Sequence, residues 1–154
     1  MDNRNDLWRH VDANKERLIA LSDRVWGMPE IAYTEYRSVA EHTAMLEQEG
    51  FRITENVAGI PTAVMGEAGD GGPVIAILGE YDALPGLSQV AGIAEPKEVE
   101  RGGHGHGCGH NMLGSAALLA ATAVKNYLAQ AGIKGRGTNS RRARRRGSAR
   151  RRRG

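Results

Sequence analysis

The amino-acid sequence predicts an α/β chain, and three stretches carry that prediction. Apolar residues recur at helical spacing between Asp6 and Trp26. A continuous apolar run, PVIAIL, begins at Pro73, and MLGSAALLAATAVKNYLAQ, from Met112 to Gln130, has the composition and length of another helix. Between these lie short segments of strand-like period, so helical and extended elements alternate along the chain.

In the first helix Leu7, Val11, Leu18, Ile19, Leu21, Val25 and Trp26 form an apolar stripe with charges between them. It is expected to stop near GMPE, because Gly27 and Pro29 both break helices. A second helix is predicted from Thr34 to Gly50, with Val39, Met45 and Leu46 on its apolar face; Thr34 and Arg37 miss the spacing chemistry of a capping box. FRITENV then alternates apolar and polar residues, and TAVMGE places β-branched residues before a glycine. The run Val74 to Leu78 is expected to be a fully buried interior strand. Its carboxyl end would deliver Glu80, Tyr81 and Asp82 to the sheet edge, where sites of open α/β sheets are found. A long loop rich in glycine and charge follows, then the Met112 helix, closed by Gly132. Such a loop inside a compact domain is uncommon unless it is functional.

At 154 residues and 40% hydrophobic content, the chain suits one domain with a true core. Its charge is uneven. Ten of the 21 basic residues are arginines between Arg136 and Arg153, which leaves 11 basic against 18 acidic groups in residues 1–135. The expected organisation is an acidic domain, 1–135, and a basic tail, 136–154, unable to bury apolar surface and therefore disordered. One cysteine cannot form an internal disulfide, so a reducing cytoplasm is the expected compartment. The amino terminus is charged throughout and no apolar stretch approaches the ~20 residues that cross a bilayer, so neither a signal peptide nor a membrane span is expected.

GHGHGCGHN, Gly103 to Asn111, concentrates three of the five histidines and the one cysteine among glycines. A thiolate and an imidazole suit zinc or a similar divalent ion, so Cys108 and His110 are candidate ligands. Two ligands are not a site, and the same letters also describe a glycine-rich surface loop with an ordinary thiol. His104 and His106 fit solvated imidazoles or groups behind the ligands better than ligands themselves. In GEYDALP, Glu80 and Asp82 point to one face of an extended chain because side chains repeat every two residues. Asp82 could accept the spare N–H of a metal-bound histidine, fixing its tautomer; alternatively, both acids are solvated at a turn before Pro85. Together the two motifs could meet at one sheet edge.

LGEYDALPGLSQ followed by GHGCGHNMLG, with the earlier WGMPEIAYTEYRS, resembles the metal-dependent amidohydrolases of the aminoacylase and carboxypeptidase-like metallopeptidase superfamily, over about Leu7 to Gly135. The resemblance implies the amino-terminal part of a zinc-peptidase-like catalytic domain, a mixed sheet with helices on both faces. It implies a divalent metal centre, zinc or manganese and often dinuclear, and cleavage of amide bonds in small N-acyl amino acids. Cys108 and His110 would be metal ligands and Asp82 the catalytic acid that orients the centre. His106 would stand behind the ligands, as would Glu80, although related hydrolases place other residues, including a ligand histidine, at that position. Their general base is the first glutamate of a Glu-Glu pair some tens of residues beyond Cys-Gly-His, and that pair is absent here, as is the inserted domain through which such enzymes dimerise. An inactive fragment is therefore expected.

The arginine run has two readings. Clustered arginines neutralise phosphates, as in a nucleic-acid-binding arm. The run also has no aromatic residue to stack bases and breaks abruptly from a family-like helix, as a shifted reading frame in GC-rich DNA would. A metal-binding module without catalysis is the third class the sequence leaves open.

Overall fold

The computed structural model describes residues 3–140. Helix α1, Asn3–Trp26, is followed by α2, Tyr36–Gln48, and strand β1, Arg52–Glu55. A single 3-10 turn leads to β2, Val64–Gly69, and β3, Val74–Leu78; then α3, His110–Ala131, and β4, Arg136–Ser140, complete the order. The sheet runs β1-β2-β4-β3, with β1/β2 and β2/β4 antiparallel and β3/β4 parallel. A parallel pair needs a long crossover, and α3 supplies it.

The helices form because each has one stripe to hide. Leu18, Leu21 and Val25 of α1, Met45 and Leu46 of α2, and Leu118 and Ala121 of α3 join Val64 and Ala68 of β2 in one cluster. Burial at ~25 cal/mol per Å² of apolar surface makes this cluster the main source of cohesion. Ile53 and Ile77 pack against it, which matches the register: alternate residues of each strand face the helices. The three helices therefore share one face of the sheet. The mixed sheet with helices is as expected, but among the described residues no helix covers the second face.

Two expectations are corrected. Val74–Leu78 is an edge strand rather than an interior one, with Val74 and Leu78 half-exposed, because its sole ladder is with β4 among the described residues. Arg136–Ser140, assigned from sequence to the disordered tail, is strand β4, between β2 and β3. Arg, Gly and Asn give RGTNS little strand preference; paired backbone on both sides overrides it. The rest of the predicted tail, 141–154, lies outside the described residues. No helix among the described residues is long and apolar enough to cross a membrane.

Helix α2 begins at Tyr36, and its own N-cap, Glu35, makes no side-chain cap hydrogen bond. The Glu30 carboxylate takes that role from outside the helix. It accepts hydrogen bonds from the backbone N–H of Arg37 (3.1 Å) and of Ser38 (2.8 Å), and from the Ser38 hydroxyl (2.8 Å). Negative charge there also suits the helix dipole. Burial pushes the Glu30 carboxyl up, yet the Ser38 and Arg37 donors outweigh it and hold the group below its ordinary 4.5. Glu30→Ala is expected to cost about 1 kcal/mol in urea unfolding near neutrality. A carboxyl depressed in the folded state stabilises above its unfolded pKa, so the cost should shrink as pH falls below 4.5 and through the lower folded value. A pH-independent cost would refute the cap.

Candidate metal centre

Beyond β3 the chain stays extended, and alternation sorts its side chains. Tyr81 is buried: its hydroxyl donates to the Thr62 carbonyl (2.6 Å) and its ring stacks on His42, centroids 4.6 Å apart. Thr62 in turn donates its hydroxyl to the fully buried Glu35 (2.7 Å). With Tyr81 turned inward, its neighbours Glu80 and Asp82 project the other way, part-buried. The segment is then stitched down. Ala83 N–H donates to the Glu30 carbonyl (2.7 Å), and Leu84 and Gly105 exchange backbone hydrogen bonds of 3.0 Å, closing the long 85–104 excursion at its base.

That closure returns the histidine-rich stretch to the end of β3. His106 is buried, its Nε2–H donating to the Val25 carbonyl (3.0 Å) and its ring stacked on Trp26. Burial holds its pKa below the usual histidine range; the Val25 carbonyl and Asp82 oppose that effect and His110 adds to it. Three residues on, Gly109 adopts φ +74°, a left-handed turn that L side chains rarely adopt, and α3 starts at His110. Asn111 donates to the Ser22 hydroxyl (3.0 Å) and so ties this helix start to α1 as well.

The structure brings three sequence-predicted residues together. His110 Nδ1 lies 3.0 Å from Asp82 Oδ1, and its Nε2 lies 3.3 Å from Glu80 Oε2. One ligand atom from each of Glu80, Asp82 and His110 falls within 4.8 Å of the others. Cys108 is exposed on the turn before Gly109 and is outside this set. His106 also turns away, toward Val25. Two residues were not singled out for a role from sequence: Glu30, whose distance from α2 fits no capping box, and Tyr81, whose burial is signalled only by alternation with two acids.

The donor set fits a divalent ion. With Nδ1–H given to Asp82, the Nε2 lone pair faces Glu80. Two donors ~2.1 Å from a tetrahedral ion are themselves ~3.4 Å apart, close to the Nε2–Oε2 separation. Glu80 and His110 can therefore share an ion while Asp82 fixes the imidazole tautomer.

The site depends on close approach between the end of β3 and α3, and Gly114 permits it. A Cβ there would lie 2.8 Å from the Glu80 carbonyl oxygen and 2.8 Å from His42 Nε2. Replacing glycine by alanine inside a helix ordinarily gains up to ~1 kcal/mol, whereas overpacking a core costs ~1–3 kcal/mol. Gly114→Ala is thus expected to lower the melting temperature; a rise would show that the contact is soft.

No protein-family profile matches the chain. It is 49% identical over 131 residues to one of the subunits of p-aminobenzoyl-glutamate hydrolase from Escherichia coli, covering 82% of this chain and 27% of that protein. It is 34% identical over 128 residues to Xaa-Arg dipeptidase of Mus musculus, covering 77% and 26%. Among solved structures, the YxeP protein of Bacillus subtilis, a dinuclear metal-binding peptidase of the M20 family, superposes with a TM-score of 0.64 at 27% identity, over 84% of this chain and 35% of that one. The chain spans about a quarter of the length of the curated relatives it matches.

Proposed function

We propose, for a chain that belongs by a stretch spanning about a quarter of its curated relatives to the M20-type metal-dependent amidohydrolases and peptidases, that it carries part of the metal centre of an enzyme cleaving N-acyl amino acids. The substrate class follows the relatives: p-aminobenzoyl-glutamate joins an acyl group to an amino acid through one amide bond, and a dipeptide does the same. The observation that carries the reading is His110, held with one ring nitrogen on Asp82 and the other facing Glu80.

Each residue has a task. Asp82 accepts a hydrogen bond from Nδ1–H, which holds the ring in place and leaves the Nε2 lone pair to face an ion. Glu80 and His110 supply two donors, and the exposed Cys108 thiolate, two residues before His110, would supply a third once its turn closes over the ion. A bound divalent ion, zinc or manganese, would polarise a scissile carbonyl and lower the pKa of its water toward ~7. Hydrolysis also needs a carboxylate to take the proton of that water. No acidic residue follows Glu100, so the Glu-Glu pair of the family is missing from this sequence. The isolated chain is therefore a metal binder without turnover.

Three measurements test this. Equilibrium dialysis should find zinc or manganese bound, with Asp82→Asn weakening affinity about 10–100-fold. In the cobalt-loaded protein a thiolate-to-metal absorption band should be present and should vanish in Cys108→Ser; a cobalt spectrum without that band removes Cys108 from the ligand set. Purified chain given metal and p-aminobenzoyl-glutamate should release no p-aminobenzoate, and measurable turnover would overturn the inert-fragment reading.

A further inference from the structure

A second feature uses none of the candidate metal ligands. Between α1 and α3 runs a depression of about 460 Å³, walled by Ile19 and Trp26 of α1 and by Met112 and Leu119 of α3. Ile19 is 52% exposed, Trp26 49% and Met112 61%. Single exposed apolar residues are ordinary, but three around one groove mark a surface made to be covered.

The charges beside the groove indicate what covers it. Lys15 and Asp23 also line it, and both are exposed. They lie four residues before and four after Ile19, so all three share one helix face, a turn apart. This spacing is self-complementary under a two-fold axis. If a second α1 lies antiparallel on the first with the axis at Ile19, position 19 + k faces position 19 − k. Each Lys15 then meets Asp23 of the partner subunit, twice, with Ile19 on the axis. A closed two-fold contact uses one patch twice, as this one allows. A parallel copy in the same register would instead put lysine on lysine and aspartate on aspartate. The Lys15–Asp12 contact of 3.0 Å within the chain does not compete strongly, since both groups are exposed and such pairs are worth little.

We propose that the α1–α3 groove is a self-association surface, occupied by α1 of a second copy of this chain in antiparallel register about Ile19. The groove borders the metal centre through Asn111 and Met112 but contains none of Glu80, Asp82, Cys108 and His110, so association is measured without added metal and does not depend on metal binding.

Sedimentation of the full 154-residue chain over a range of concentrations at low salt tests it. The wild type should show a monomer–dimer equilibrium. Lys15→Asp or Asp23→Lys alone places like charges opposite each other and should raise the dissociation constant at least about tenfold. The double swap restores opposite charges in reversed order and should recover the wild-type constant. Both positions are exposed, and matching melting curves would establish that each variant is folded. A wild type that stays monomeric throughout, an association that neither single swap weakens, or a double swap that fails to recover it would each overturn the proposal.

Discussion

The site depends on a two-residue alternation at the end of β3. Tyr81 turns into the core, where its hydroxyl is bonded to Thr62 and its ring is stacked on His42, and this forces Glu80 and Asp82 to the opposite side. A slip of one residue would bury two carboxylates and expose the phenol, an exchange that costs far more than any single hydrogen bond contributes. The orientation of the acids is thus set by what lies behind them. Glu35, fully buried and bonded to Thr62, extends that support by one more link.

The histidine-rich stretch follows the same logic. Its glycines suggest looseness, but the segment is anchored on both sides of the candidate ligands. His106 fastens to the Val25 carbonyl and Asn111 to Ser22, both on the last turns of α1. Between those anchors only residues 107–110 are free to choose a path, and the left-handed Gly109 turns that path into α3. One helix, remote from the chemistry in sequence, therefore determines where the imidazole of His110 stands. The glycines supply close approach more than mobility, as the backbone contacts facing Gly105 and Gly114 indicate.

Much of this is legible in the sequence, and the illegible parts have physical reasons. The stripe of α1 and the long apolar α3 are written in residue period, and Gly132 closes α3 where expected, in the left-handed conformation. The pairing of Asp82 with a histidine is suggested by two-residue spacing and strand-end position. The start of α2 differs from the expected Thr34 because its cap comes from Glu30, a tertiary contact that no local pattern encodes. The edge position of β3 contradicts its apolar composition, since composition records what a strand is suited to and pairing depends on which neighbours are present. The proximity of Glu80 to His110 Nε2 also needs the fold, because β3 and the loop set that distance together.

Strand β4 has a further consequence. Its residues Arg136, Gly137 and Thr138 enter the middle of the sheet through main-chain amides and carbonyls, matched to β2 on one flank and β3 on the other. Pairing on both flanks holds RGTNS in a lane for which its residues have little preference, while the buried Thr138 is the point along it where side-chain size and polarity still matter.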